Sequence, residues 1–395
     1  MPGFFRRQQS VFRRKRDMTI AFDGKKAARN RAGLGNYSRF VITTLARRFP
    51  DVRFDVYVSR RADTELLAPL MEFPNVTVCY PTHPVLKYFP WLWEKYGITY
   101  EVRRRGADVY HGLGNELPAN IGKASRTRTV VTIHDLIFLF FPHTYSWIDR
   151  HLLNLKFRSA CRRADRIIAV SRCTAKDIVK YYFTPKSKIS VAYQGCDQRF
   201  REECPESLKE DVRKRYSLPD RFILSVGTVE ERKNTALIVK ALPSIPEVSL
   251  VIVGKRTAYA AYVEETAREC KVSGRVRILT GVSTSDLAAM YRLAEVFVYP
   301  SRYEGFGIPM LEALCSGVPA IGATGSCLEE AGGDASLYTD PDSAEDLAQK
   351  IVRVLTDRSL RKEMIEKGHQ YASGFTGEVL ADRLMEIYRE CLESR

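Results

Sequence analysis

Four stretches of this sequence hold side chains whose types and spacing could do chemistry. In the first, Glu304-Gly305-Phe306-Gly307 precedes Ile308, Pro309 and Glu312. Glycines let backbone N–H groups approach a ligand closely, and proline suits a first helical turn, whose N-terminus favours negative charge. The two glutamates stand eight positions apart. Amides that meet phosphate beside carboxylates that accept hydroxyl protons would suit a phosphorylated, hydroxyl-rich molecule. In the second stretch, Ser225–Asn234, Gly227 ends a strand-like run and Arg232 and Lys233 follow in a loop. Such a pair could neutralise a departing anion. In the third, His134-Asp135 ends the run TVVTI, and in the fourth Gly33-Leu34-Gly35-Asn36 follows the first strand-like run. Each signal is weak alone. A second glutamate at a fixed offset arises by chance about once in 15, and position 38 is Ser, so the glycines make only half of a dinucleotide fingerprint.

The elements that must position these residues are short β-rich runs alternating with helical ones. Runs such as SLVIVG and RIIAVS predict parallel strands covered on both faces. The first series has strands near 19–22, 53–58, 76–80, 107–111, 129–133, 166–170 and 190–193, with helices near 37–47 and 147–161. A second series has strands near 222–226, 250–253, 275–279, 296–299 and 319–321. The fold class expected is α/β, two doubly wound Rossmann-like domains facing one another across a cleft. The boundaries expected are a basic tail at 1–17, a first domain at 18–205, a second at 206–375 and a closing helix at 376–395 that returns to the first domain. The linker is placed within 195–219. In such sheets ligands bind beyond the carboxyl ends of the strands, where all four stretches fall.

Composition narrows the class. The 395 residues are 45% hydrophobic and 28% charged, which excludes a collagen-like or disordered chain. The longest apolar runs, around 136–141 and 297–299, are strand-sized, so no spanning helix is expected. Nine cysteines without CxxC or zinc spacing predict reduced thiols and no metal site. Residues 1–200 hold 36 Lys and Arg against 16 Asp and Glu, whereas residues 201–395 hold 26 against 31. The basic half suggests an anionic partner: nucleic acid, phosphorylated substrates or a membrane surface, the last served by the Arg- and Phe-containing tail.

The segment PSRYEGFGIPMLEALCSGVPAIG, together with SVGTVEERKN, resembles the retaining GT-B glycosyltransferases of family 4, which include many bacterial mannosyltransferases. The resemblance runs over most of the chain from Met18. It implies transfer of a sugar, mannose first, from a nucleotide-sugar (GDP-mannose or a UDP-sugar) to a glycan or polyprenyl-linked acceptor in surface polysaccharide synthesis. No further cofactor and no metal are implied. It assigns the diphosphate to Lys233, the donor sugar's hydroxyls to Glu304, the amides of Gly305, Phe306, Gly307 and Ile308 to sugar and phosphate, and the ribose to Glu312. Val282, after Gly281, would border the base, Gly227 and Gly35 would face the donor phosphates, and His134 would lie beside the donor sugar. Many relatives have arginine where Thr228 stands, and Arg232 is expected to replace it. The location implied is cytoplasmic, peripheral on the inner membrane face. An epimerase or phosphorylase on the same architecture is the alternative. A nucleic-acid-binding protein is a rival of another class, disfavoured because no RNP-like aromatic stretch is present.

Several further features invite functional readings. Asp340-Pro341-Asp342 mimics a metal-binding DxD, but Ser343–Asp346 follows, so turn plus helix cap is expected. The run at 87–105 reads as a core helix with Trp91 and Trp93 buried, or else as an interfacial membrane patch. His111 is balanced between structural and functional readings, and Lys255 after Gly254 reads as a solvated strand-end lysine.

Overall fold

The computed structural model describes residues 18–60, 65–122, 126–245 and 247–394, so the basic tail lies outside the described residues. Two parallel sheets carry the fold. The first has seven strands: β1 (Thr19–Asp23), β2 (Arg53–Tyr57), β3 (Val76–Cys79), β4 (Val109–Gly112), β5 (Arg128–Ile133), β6 (Arg166–Ala169) and β7 (Ile189–Val191), in the order β3-β2-β1-β4-β5-β6-β7. The second has six: β8 (Phe222–Val226), β9 (Ser249–Val253), β10 (Val276–Leu279), β11 (Val296–Tyr299), β12 (Ala320–Ala323) and β13 (Leu337–Thr339), ordered β10-β9-β8-β11-β12-β13. Each order reverses once, between β1 and β4 in the first sheet and between β8 and β11 in the second. The crossover connections diverge at these switch points and leave a crevice at the strand ends.

Strand alternation assigns the layers. Ile20 and Phe22 face one side of the first sheet with Val41, Ile42 and Leu45 of the helix Gly33–Arg48. Ala21, Tyr57 and Tyr110 face the other, with Trp93 and Phe157. The second sheet is likewise covered on both faces, by clusters around Met310, Leu311 and Phe297 and around Ile238, Val263 and Ile351. The closing helix Gly377–Glu393 packs on the first sheet's layer through Leu380, Leu384, Met385 and Tyr388, and Arg48 grips Asp382 with two hydrogen bonds of 2.9 and 3.0 Å. Thr376 caps that helix by accepting from the Val379 amide.

Several elements depart from the sequence expectation. The apolar run at 136–141, to which no element was assigned, holds a short helix, Ile137–Phe140. The interdomain segment holds its own helix, Glu206–Arg215, and the strand Leu337–Thr339 joins the second sheet unannounced. The Gly33–Asn36 stretch is not a loop: the helix begins at Gly33, because Asn30 turns the chain by accepting from the Ala32 amide at 2.6 Å. Gly35 is needed there, since a Cβ would lie 1.7 Å from the Asn30 carbonyl oxygen. The core reading of 87–105 is half right. Trp93 is fully buried, but Trp91 stands 65% exposed. Among the described residues, no helix is long and apolar enough to cross a membrane.

Candidate active site

The second sheet's switch point gathers the charges. Lys233 follows β8 and Glu304 follows β11, so the strand order brings together residues 71 positions apart. Glu304 is 8% exposed. Its Oε1 receives Lys233 Nζ at 2.6 Å, Arg232 Nη1 at 2.7 Å, the Ser301 hydroxyl at 2.7 Å and the Tyr299 hydroxyl at 2.8 Å. Its Oε2 has no partner among the described residues. Burial alone would raise this carboxyl, but the adjacent Lys233 and Arg232 outweigh it and hold the pKa at about 2. Burial lowers the Lys233 ammonium despite Glu304, and its Nζ also reaches the Tyr299 hydroxyl.

The two cations are not equivalent. Arg232 bonds the Tyr303 carbonyl at 2.7 Å and Glu230 at 2.5 Å in addition to Glu304. Its guanidinium nitrogens Nη1 and Nη2 are both engaged by protein acceptors. Arg232 clamps the loop that carries Glu304. Ser301 reinforces the clamp by donating to the Arg232 carbonyl at 3.1 Å.

Beyond Glu304 the chain turns into the helix Ile308–Cys315, with Pro309 in its first turn. The amides of Gly305, Phe306, Gly307 and Ile308 donate to no acceptor among the described residues. They form a run of N–H groups at a helix N-terminus, where the dipole adds to their pull on an anion. Gly307 holds φ at 109°, and a Cβ there would meet Leu328 Cδ2 at 2.7 Å. The Phe306 side chain is core, stacked on Tyr193 at 5.4 Å, so only its backbone faces the crevice. Gly227, with φ at 141°, lies against the Lys233 stem. Glu312 sits one turn along the helix and accepts from the Tyr291 hydroxyl at 2.9 Å; burial pushes its pKa up to about 7. Val282 is half-buried against the same layer, next to Gly281, which has open space beside it.

The first domain closes over this loop. A Cβ on Gly305 would lie 2.0 Å from the His134 carbonyl oxygen, so only glycine permits the approach. Thr174 Oγ1 donates to the Gly305 carbonyl at 3.2 Å, and the Tyr303 hydroxyl donates to Asp177 at 2.7 Å while its ring stacks on Phe140. Glu330 accepts the Arg172 and Cys173 amides at 2.7 and 2.8 Å. The His134 ring is 6% exposed, and its Nε2–H donates to the Leu113 carbonyl at 2.8 Å. Its Nδ1 thereby accepts from Gln194 at 3.3 Å. Burial drives its pKa down to about 4, so the ring is neutral with both nitrogens engaged. Both ring nitrogens are engaged by protein partners in this arrangement. His111 is structural: fully buried, it bridges Tyr388 at 2.7 Å and Thr132 at 2.8 Å. Gly35 lies in the first turn of its helix, in the other domain from Lys233.

The DxD look-alike is a turn. Asp340 accepts the Asp342 amide at 2.9 Å, and Ser343 rather than Asp342 caps the next helix. Asp342 pairs with Arg302 at 2.6 Å. Lys255 is exposed. Tyr299, Ser301 and Tyr303 escape the sequence reading, although Ser301 and Tyr303 sit in the PSRYEGFG segment and Tyr299 immediately precedes it. A tyrosine at the last position of a buried strand, with a serine two residues on, is the signal that would have singled them out.

Residues 209–371 match the family model for glycosyl transferases group 1, and residues 39–200 match that for glycosyltransferase family 4. O-antigen chain mannosyltransferase B of Escherichia coli is 28% identical over 290 residues, 71% of this chain and 74% of that protein. Serotype-specific mannosyltransferase WbdA of Escherichia coli is 30% identical over 286 residues, 68% of this chain but only 34% of that longer protein. Among solved structures, Anabaena Alr3699/HepE in complex with UDP-glucose superposes with a TM-score of 0.74 at 17% identity, over 94% of this chain and all of that one. WaaG, a glycosyltransferase involved in lipopolysaccharide biosynthesis, covers 93% of this chain and 99% of its own with a TM-score of 0.67 at 18% identity.

Proposed function

Because this chain belongs to the group 1 glycosyltransferases of family 4, a GT-B enzyme class, we propose that it transfers a hexose, mannose first, from a nucleoside diphosphate sugar to a glycan or lipid-linked acceptor with retention of anomeric configuration. Mannose is favoured by the mannosyltransferases it resembles in sequence. A nucleotide-sugar donor is supported by the UDP-glucose bound to a structural neighbour.

The observation that carries the reading is the switch-point cluster: Lys233 and an ionised Glu304 beside a run of unpartnered amides at a helix N-terminus. The diphosphate would lie on the amides of Phe306 to Ile308. As the sugar leaves, negative charge grows on the diphosphate, and Lys233 moves from Glu304 to meet it. The pocket is already desolvated, so that contact is strong when it forms. Glu304 keeps its charge throughout, and its open Oε2 accepts a hydroxyl of the donor sugar. Oε1 is occupied by four donors, so Glu304 orients the sugar rather than attacking it. The departing diphosphate then takes the acceptor hydroxyl's proton on the face from which it left. Arg232 and Ser301 hold Glu304, and Glu312 faces the ribose.

Charge neutralisation by Lys233 and the helix N-terminus predicts transfer that persists in EDTA. Lys233→Ala removes a donor aimed at the developing anion, so kcat should fall by about 10²–10³, or roughly 2.7–4 kcal/mol. Transfer of radiolabelled mannose from GDP-mannose to a membrane acceptor fraction, with UDP-glucose in parallel, measures both. Loss of all activity in EDTA with normal turnover by Lys233→Ala would overturn this reading.

A further inference from the structure

The crevice proposed for the donor lies at the carboxyl ends of the strands. Another cavity, of about 380 Å³, lies at the opposite edge of the first sheet. Small-molecule sites commonly measure about 300–1,000 Å³. β5 opens with Arg128, β6 opens with Arg166, and Lys188 stands just before β7. The strands are parallel, so their starts share one edge, and all three cations line the cavity there. Cys391 and Ser394, where the closing helix ends, add to its wall together with Asp165. Three cations thus face one carboxylate. That carboxylate is largely spent on the sheet, because its Oδ2 accepts the Thr129 amide at 2.7 Å and the Thr129 hydroxyl at 2.8 Å.

The cations have donors to spare. Arg166 spends Nη1 on the Ser187 carbonyl, and its Nε and Nη2 have no partner among the described residues. Lys188 gives two of its three N–H groups to the carbonyls of Cys161 and Arg162, both at 2.9 Å. Arg128 reaches Asp165 at 3.5 Å and the Ser394 carbonyl at 3.2 Å, the long end of the hydrogen-bond range. Burial lowers the Lys188 ammonium, and an anion beside it would favour its charged form. Like charges gathered around one cavity repel, so an entering anion relieves that repulsion as well as accepting hydrogen bonds. Guanidinium forks match the oxygens of a phosphate group, and a lysine adds a point charge.

We infer that this cavity binds the phosphate group of a phosphate ester, with Arg166 and Arg128 forking its oxygens and Lys188 supplying a further donor. The site is remote from the donor crevice, so the inference does not depend on the transfer reading. The ester is either a soluble compound or a lipid headgroup, and two probes separate these sources. Glycerol 3-phosphate is titrated calorimetrically into the full chain, and the chain is cosedimented with phosphatidylcholine vesicles with and without phosphatidylglycerol. Arg166→Gln and Arg128→Gln each remove one charge at a partly exposed position, and Arg166→Lys keeps the charge without the fork. Each Gln variant should weaken binding about 10-fold, the worth of one charge-assisted hydrogen bond. Arg166→Lys should weaken it less, and Lys233→Ala should leave it unchanged. Glycerol 3-phosphate binding that follows this order sustains the site with a soluble ester. Binding only to the vesicles that contain phosphatidylglycerol, in the same order, sustains it with a lipid headgroup; Phe183→Ser should then weaken binding too, since Phe183 stands 82% exposed two residues before Pro185 of the cavity wall. No binding of either probe by the wild type would overturn the inference. So would wild-type affinity in both Gln variants, or binding that Lys233→Ala abolishes and the Gln variants keep.

Discussion

The two switch points occupy equivalent positions in two sheets of the same design, yet they are filled differently. At β8/β11 a carboxylate and two cations interlock on a single oxygen, and a run of amides stands beside them. At β1/β4 the ion pairs of Lys25 with Glu94 and Lys156 with Glu116 stand apart, and Asp23 accepts the Lys25 amide. The first arrangement suits a ligand whose charge changes during reaction, whereas the second gathers no charge on a single atom.

The largest expected effect breaks the approach of the two crevices. Gly305→Ala places a methyl group 2.0 Å from the His134 carbonyl oxygen, and backbone cannot yield as a flexible side chain can. Because a displacement of about 1 Å can cost about 10²-fold in rate, transfer should fall at least that far. The melting temperatures of the two domains and the nucleotide affinity should change little. Near-normal turnover by this variant would show that the closed approach is unnecessary.

A smaller effect sharpens the electrostatic side of the comparison. Burial raises Glu312 from 4.5 to about 7, so the protonated form is the one the fold prefers. Stability from this group is complete below pH 4.5 and is lost as pH rises through about 7. Glu312→Gln should therefore stabilise the unliganded protein by roughly 1–3 kcal/mol above pH 7.5, with no gain below pH 4.5. Urea unfolding at pH 4.5, 6 and 8 would reveal it, and a pH-independent difference would contradict the burial argument. The smallest effect is a control: Asp342→Ala removes an exposed partner of Arg302 and should leave both transfer and melting temperature unchanged.

Much of the second crevice was legible in the sequence, because its residues cluster in two short motifs at strand ends. Lys233, Glu304 and the glycines lie where the motifs put them, and strand order alone brings them together. The partners that tune Glu304 were harder to read. Tyr299 looks like one more apolar strand residue until its hydroxyl is placed, and nothing in the motif shows that Arg232 meets three protein acceptors. The partners of His134 were not legible either, because a strand-end position does not reveal what its ring nitrogens meet. The first crevice left no local trace. Asp23, Trp91 and Tyr110 belong to separate elements, and only the pairing of β1 with β4 and the packing of the 90–105 segment make them neighbours. Sequence periodicity reports which face a residue takes, not which distant residue shares it.

The central claim is that Lys233 meets the diphosphate, and calorimetric titration of UDP and GDP in EDTA tests it most directly. The wild type should bind one of the two nucleotides without metal. Lys233→Ala should bind it about 10- to 100-fold more weakly, the worth of one charge-assisted hydrogen bond. Equal affinity in wild type and Lys233→Ala would contradict the account.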